Sequence, residues 1–236
     1  VMLEPVLTNV GMVLPAPGFL QQVRRLCTQA GSLLLADETH TLSEAFEGYC
    51  RFHGIEPDML VLGKSIAGGL PCAVYGASAR VASQMGEVKR ASPEGHSGIG
   101  TTLSGSLLAL AGLRATLQSV ATPAACATMR ENAGILADSV RAVLGAHRLP
   151  WCVTQVGARC ELQFCAKAPS NAREARAAMD AELERAIHLY VLNRGLLLTP
   201  FHNMMLLCPD TGRDEIGHLV RALDDCFGEL TAGTAA

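Results

Sequence analysis

Between Ser32 and Lys64 two short apolar runs each end on a chemically reactive side chain. Leu33-Leu34-Leu35-Ala36 delivers Asp37, and Met59-Leu60-Val61-Leu62-Gly63 delivers Lys64. Continuous apolar runs this short, bounded by polar or glycine-rich stretches, read as buried strands. Strands buried on both faces and separated by helical patterns belong to a largely parallel sheet with crossover helices. In an open sheet of that kind, ligand sites lie outside the carboxyl ends of the strands. Asp37 and Lys64 are therefore both expected where a ligand would sit.

An acid and an amine presented there suit a cofactor that needs an imine-forming lysine and an acidic partner for a ring nitrogen. Pyridoxal phosphate is that cofactor. Gly63, Gly68 and Gly69 let the backbone pass close to a bulky group. Gly63-Lys64-Ser65 also imitates the end of a phosphate-binding P-loop. That motif requires a glycine five residues before its Gly-Lys pair, where this chain has Asp58. The P-loop reading fails on that residue.

The pattern along the chain is α/β at first and α+β later. Pro17 to Gly31 carries Phe19, Leu20, Val23, Leu26, Cys27 and Ala30 on one helical face, and Gly31 closes it. Ser32–Asp37, Met59–Leu62 and Cys72–Ala77 read as strands. Gly105–Val120 reads as a helix with Leu107, Leu108, Ala111, Ala115 and Leu117 on its apolar side. The character changes around Ala121-Thr122-Pro123. A long helix to about Ala146 precedes β-like runs at Trp151–Val156 and Cys160–Phe164. Asn171–Asn193 reads as one charged, Ala-rich helix, Leu196–Thr199 and Met204–Leu207 as short strands, and Arg213–Leu230 as a final amphipathic helix. The expected division is 1–121, part of a large cofactor-binding domain, and 122–236, a small α+β domain.

Composition narrows the function classes. The net charge is −3 over 236 residues and no basic cluster appears, which argues against nucleic acid as a partner. No apolar run approaches the roughly 18 residues of a membrane span. Nine scattered cysteines without a Cys-x-x-Cys pair read as reduced, core-filling thiols of a cytoplasmic protein, not as a metal site. Val1 to Val6 reads like the middle of a domain, so an N-terminal part is expected to be missing.

An ordered set of fragments carries a family resemblance: Glu4-Pro5, Gly18-Phe19-Leu20, Asp37-Glu38-Thr39-His40-Thr41, Pro57-Asp58, Gly63-Lys64, Gly68-Gly69-Leu70-Pro71 and Gly100-Thr101-Thr102-Leu103-Ser104-Gly105. Together they resemble the class III aminotransferases of PLP fold-type I, most of all the glutamate-1-semialdehyde aminomutase-like branch. The resemblance runs from about Glu4 to about Leu230.

It implies a mostly parallel large domain, a small C-terminal domain and a homodimer with shared active sites. Lys64 would be the Schiff-base lysine and Asp37 the partner of the pyridine nitrogen. Thr39 would pack on one ring face, at a position usually held by Val or Ile. His40 would stand near the cofactor's phenolic oxygen or serve structure alone. Thr102 would reach the cofactor phosphate of the neighbouring subunit, or simply cap the following helix. Glu4 aligns with a glutamate near the site, and Asn9 leans away from the ornithine and 4-aminobutyrate branches. Pro200 to Met204 is placed near the substrate mouth by resemblance, and no role is assigned to His96 or His202. The implied reaction is transfer of an amino group from a small amino compound to a carbonyl acceptor. A 2,1-aminomutase, or a non-catalytic remnant of such an enzyme, is the alternative.

Overall fold

A computed structural model describes residues 1–95, 100 and 102–232. His96 lies outside the described residues. The chain groups into two compact units. The first comprises Val1–Pro5, Pro17–Leu42 and Glu47–Thr122, and the second Val6–Ala16, Ser43–Phe46 and Pro123–Ala236.

The first unit is built on a four-stranded sheet of β1 (Met2–Leu3), β2 (Leu35–Asp37), β3 (Met59–Leu62) and β4 (Val74–Ala77), in that spatial order. β1, β2 and β3 run parallel, whereas β4 pairs with β3 antiparallel. The sheet is thus mixed, with its parallel part on the strands that carry the candidate residues. β2 is shorter than its apolar run suggests. The Leu34 N–H is taken at 2.8 Å by the Asp58 carboxylate, so the ladder begins only at Leu35.

Helix α1 (Phe19–Gln29) buries Leu20 and Cys27. It ends where expected: Gly31 adopts φ +63°, and Ser32 N–H returns to Cys27 O at 2.9 Å. Two helices are invisible in the apolar pattern. They are α2 (Gly48–Phe52) and α3 (Ala79–Ala91), the latter started by the Ser78 hydroxyl accepting from Val81 N–H. Asp58, at the amino end of β3, is the polar anchor of this unit. It accepts from Arg24 at 2.7 Å and Arg80 at 2.8 Å, and these bonds with the Leu34 N–H hold its carboxyl down to about 2.

Helix α4 (Leu107–Ser119) departs from its expected packing. Leu107 and Leu108 are 84% and 67% exposed, and none of its residues is fully buried. The side that meets the rest of the unit carries Gly112 and Thr116 instead. An apolar pattern on nearly every side of a helix cannot say which side packs. Small residues decided it, because they let the backbones approach.

The second unit pairs a three-stranded antiparallel sheet with helices. Its strands are β5 (Cys152–Val156), β6 (Arg159–Gln163) and β7 (Met204–Leu206). Around it lie α5 (Pro123–Ala146), α6 (Ala172–Ala177), α7 (Ala181–Leu192) and α8 (Arg213–Ala232). Their buried faces form one core that includes Leu136, Val140, Ile187, Val191, Leu223 and Phe227. Each such side chain contributes about 1.5–3 kcal/mol on burial.

Two expectations change here. Asn171–Asn193 is not one helix. Asp180 accepts from Glu182 and Leu183 N–H at 3.0 Å and starts a new helix, just as Asn171 starts the first. Leu196–Thr199 is not a strand, and only Met204–Leu206 pairs with β6.

Buried polar bonds draw two distant segments into this unit. Gln163 Nε2 donates to Met12 O at 2.8 Å, and Arg159 donates to Thr8 O at 2.9 Å. Gly157 N–H donates to the Glu44 carboxylate at 2.7 Å. No helix among the described residues is long and apolar enough to cross a membrane.

Candidate active site

Three parallel strands end at one edge of the first unit. Glu4 follows β1, Asp37 closes β2 and leads into Thr39 and His40, and Lys64 follows β3 after Gly63. Asp37 pairs in register with Val61, which precedes Lys64 by three residues. Backbone hydrogen bonds therefore bring the acid and the amine to the same edge.

Asp37 is half-buried, and its Oδ1 accepts the Thr39 N–H at 3.0 Å, which fixes the carboxylate on its own turn. Glu38 points the other way and is 2% exposed. Its carboxylate accepts from Tyr49 N–H at 2.5 Å and Cys50 N–H at 2.9 Å, satisfying the first turn of α2. Burial, reinforced by the Glu38 charge, pushes the Cys50 thiol far up. The alternation that buries Glu38 is what turns Asp37 toward the strand-end edge.

Thr39 lies over Gly63: a Cβ there would meet Thr39 Cγ2 at 3.6 Å. His40 Nδ1 stands 4.0 Å from Glu4 Oε2, an ion pair only when the ring is protonated. Lys64 is exposed and adopts φ +57°, a left-handed backbone that side chains other than glycine rarely accept. It opens a tight turn, Lys64–Ala67, whose Ile66 and Ala67 are buried. Helix α4 packs on that turn through Gly112, where a Cβ would come within 3.0 Å of Ala67 O and 2.7 Å of Leu70 Cδ1.

The strand ends bring Asp37, Thr39, His40 and Lys64 to one edge. Thr102 is placed differently, in an exposed turn before α4. His202 belongs to the second unit, with φ +60° and a ring whose burial lowers its pKa. Sequence reasoning missed Gly112 and the Asp58 clamp. Neither has a local signal, since the partners of Asp58 lie 34 and 22 residues away.

A mixed sheet with an aspartate and a strained lysine at adjacent strand ends defines a member of the PLP-transferase fold class. The chain belongs to the aminotransferase class-III family, whose model matches residues 1–218. It is 31% identical over 237 residues to a glutamate-1-semialdehyde 2,1-aminomutase of Gemmatimonas aurantiaca, covering all of this chain and 53% of that protein. Among solved structures it is similar to a lysine-to-alanine variant of a glutamate-1-semialdehyde-aminomutase from Pseudomonas aeruginosa PAO1, in complex with PMP. The TM-score is 0.92 and the identity 46%, over 97% of this chain and 51% of that one. It is also similar to a β-phenylalanine aminotransferase from Variovorax paradoxus, with TM-score 0.88 and 26% identity, over 98% and 52% of the two chains. The chain spans about half the length of the curated relatives it matches.

Proposed function

We propose that this chain carries the pyridoxal-phosphate-binding edge of an enzyme that moves amino groups, with an internal 2,1-amino shift as its reaction. The carrying observation is the emergence of Asp37 and Lys64 from adjacent parallel strands at one edge, with Asp37 opposite Val61, three residues before Lys64. Their chemistry fits the cofactor: a carboxylate for the pyridine nitrogen, an amine for the aldehyde, and a threonine stacked over a glycine beside them. The left-handed Lys64 backbone supports the same reading, because strain of this kind persists where function requires it. When bound, pyridoxal phosphate supplies an aldehyde for condensation with amines and a ring that takes up an electron pair.

Each residue then has a task of its own. Lys64 Nζ holds the cofactor covalently and, once released, takes up and returns a proton as a general acid–base group. The Asp37 carboxylate keeps its hydrogen-bond partner protonated, aided by the Thr39 N–H that fixes its orientation. Thr39 supplies a packing surface, and His40 with Glu4 supplies polar groups at the rim.

The choice of an internal shift rests on the 46% identity to an aminomutase against 26% to an aminotransferase. Transfer between two different small molecules is the second reading, kept because the fold is shared with that aminotransferase at a TM-score of 0.88. The same proposal includes a second copy of the chain as partner, with Thr102 reaching the phosphate held by the neighbouring subunit. Exposed Thr102 and the exposed leucines of α4 support it. Nine free thiols, five of them buried, support a cytoplasmic location.

The test uses two samples of the full-length protein with pyridoxal phosphate: one is reduced with borohydride and peptide-mapped, and the other, unreduced, is incubated with glutamate-1-semialdehyde. Label on Lys64 and an isomerised product without an added acceptor are expected. Label with turnover only when an acceptor is added would favour transfer. No label would leave a non-catalytic remnant.

A further inference from the structure

The second unit holds a cavity whose polar lining is unfinished. It has about 20 Å³ measured to water centres and is lined by Gly11, Glu161, Gln163, Glu184, His202 and Asn203, among others. Glu161, Gln163 and His202 line it, and Glu161 Oε2, Gln163 Oε1 and His202 Nδ1 are buried with no hydrogen-bond partner among the described residues. Buried side-chain polar atoms are nearly always paired, so three orphans around one cavity call for a shared partner.

The surrounding bonds fix which way each group faces. Arg159 Nε donates to Glu161 Oε1 at 2.8 Å, and the same guanidinium donates to it again through Nη2. That leaves Oε2 of a side chain with no exposed surface to face the cavity. The Gln163 amide cannot be flipped. Its Nε2 donates to Met12 O, a pure acceptor, at 2.8 Å, and to Thr154 Oγ1 at 2.9 Å. Gln163 Oε1 is therefore the cavity atom. His202 and Asn203 form the rim with consecutive left-handed backbones, φ +60° and +43°, a strain that persists only where neighbouring contacts impose it. Asn203 Nδ2 also donates to Leu162 O at 3.4 Å, tying the rim to β6.

We propose that Glu161, Gln163 and His202 form a binding site for one structural water, which donates to Glu161 Oε2 and Gln163 Oε1 and accepts from His202 Nδ1–H. With Glu161 ionised against Arg159, the donor count closes in this way. A water has two hydrogens for two acceptors, so the imidazole supplies the third bond as a donor. His202 is thereby a neutral ring in the Nδ1–H tautomer, with Nε2 left as an acceptor. There is room for a water, which needs only about 10–15 Å³ of occupied volume.

Charge speaks against a cation. Arg159 already balances Glu161, and burial pushes the Glu161 carboxyl up to about 7, despite the opposing pull of Arg159 and with a smaller push from Glu184. The lowered His202 pKa, again from burial, agrees with a neutral ring.

The test is an atomic-resolution crystal structure of the full-length protein, with a second crystal soaked in rubidium chloride. Long-range proton–nitrogen spectra of protein carrying ¹⁵N-histidine complete it. Expected are one density peak within hydrogen-bond distance of the three atoms, no anomalous signal there, and a protonated Nδ1 on His202. Three results would each overturn the proposal: an anomalous rubidium peak, which makes the site a cation site; an Nε2–H tautomer; or no density between the three side chains.

Discussion

Asp37 stands across the parallel ladder from Val61, and the neighbouring Glu38 N–H donates to Val61 O at 2.9 Å. Lys64 lies three residues beyond that pairing. The separation of acid and amine is thus set by main-chain hydrogen bonds rather than by their side chains. Replacing either side chain should leave the scaffold standing, which makes their chemical roles separable from folding.

Lys64→Ala is expected to abolish covalent attachment of pyridoxal phosphate and to lower turnover of the full-length protein by at least about 10²–10⁴-fold. Lys64→Gly should be equally inactive but more stable than the alanine variant by up to about 1 kcal/mol. Glycine relieves the left-handed backbone at φ +57°, partly offset by its greater freedom when unfolded. Chemical denaturation of the two variants checks this. Equal turnover in wild type and Lys64→Ala would remove Lys64 from the reaction.

Asp37→Asn should keep the fold and part of the cofactor binding, because asparagine Oδ1 can still accept the Thr39 N–H. It cannot hold a proton on the cofactor ring by charge. The expected loss in kcat is on the order of 10²–10³, the usual scale for one preorganised electrostatic contact. Steady-state kinetics with cofactor absorbance separates the two effects. An unchanged kcat at full occupancy would exclude Asp37 from the mechanism.

Gly112→Ala probes the seat of the lysine turn. The added methyl meets Ala67 O, a backbone atom that cannot rotate away. A net destabilisation of about 1–2 kcal/mol is expected, after the helix-propensity gain of about 1 kcal/mol is set against overpacking. Turnover should fall as well, by up to about 10²-fold, because the turn carrying Lys64 is displaced. A variant as stable as wild type, or more so, would mean that α4 does not press on this turn.

Asp58 sets an acid limit on the first unit. Its carboxyl is lowered to about 2, first by the Leu34 N–H and then by Arg24. The sign follows from the depression. The contribution is complete above the unfolded value of 3.8 and disappears as pH falls through about 2. Asp58→Ala should therefore cost on the order of 1–2 kcal/mol at neutral pH, allowing for solvent screening of the arginines. Denaturation midpoints of the two proteins should stay apart down to about pH 4 and converge as pH falls from about 4 to about 2. A constant gap would show that the charge is not what Asp58 contributes.

What sequence alone settled was local. Apolar runs too short for helices placed Asp37 and Lys64 at strand ends, and Gly31 stopped α1 where the left-handed turn occurs. Those are statements about residues within a few positions of one another, where periodicity and backbone preference act. Tertiary structure decided the rest. It turned β4 antiparallel and broke Asn171–Asn193 at the Asp180 cap. It packed α4 through Gly112 rather than its leucines, and joined Gln163 to Met12 across 151 positions. The physical reason is common to these cases. A cap competes with a periodic pattern only when the chain needs to turn there, and a buried polar bond has no period at all. Both depend on which distant groups the folded chain brings together.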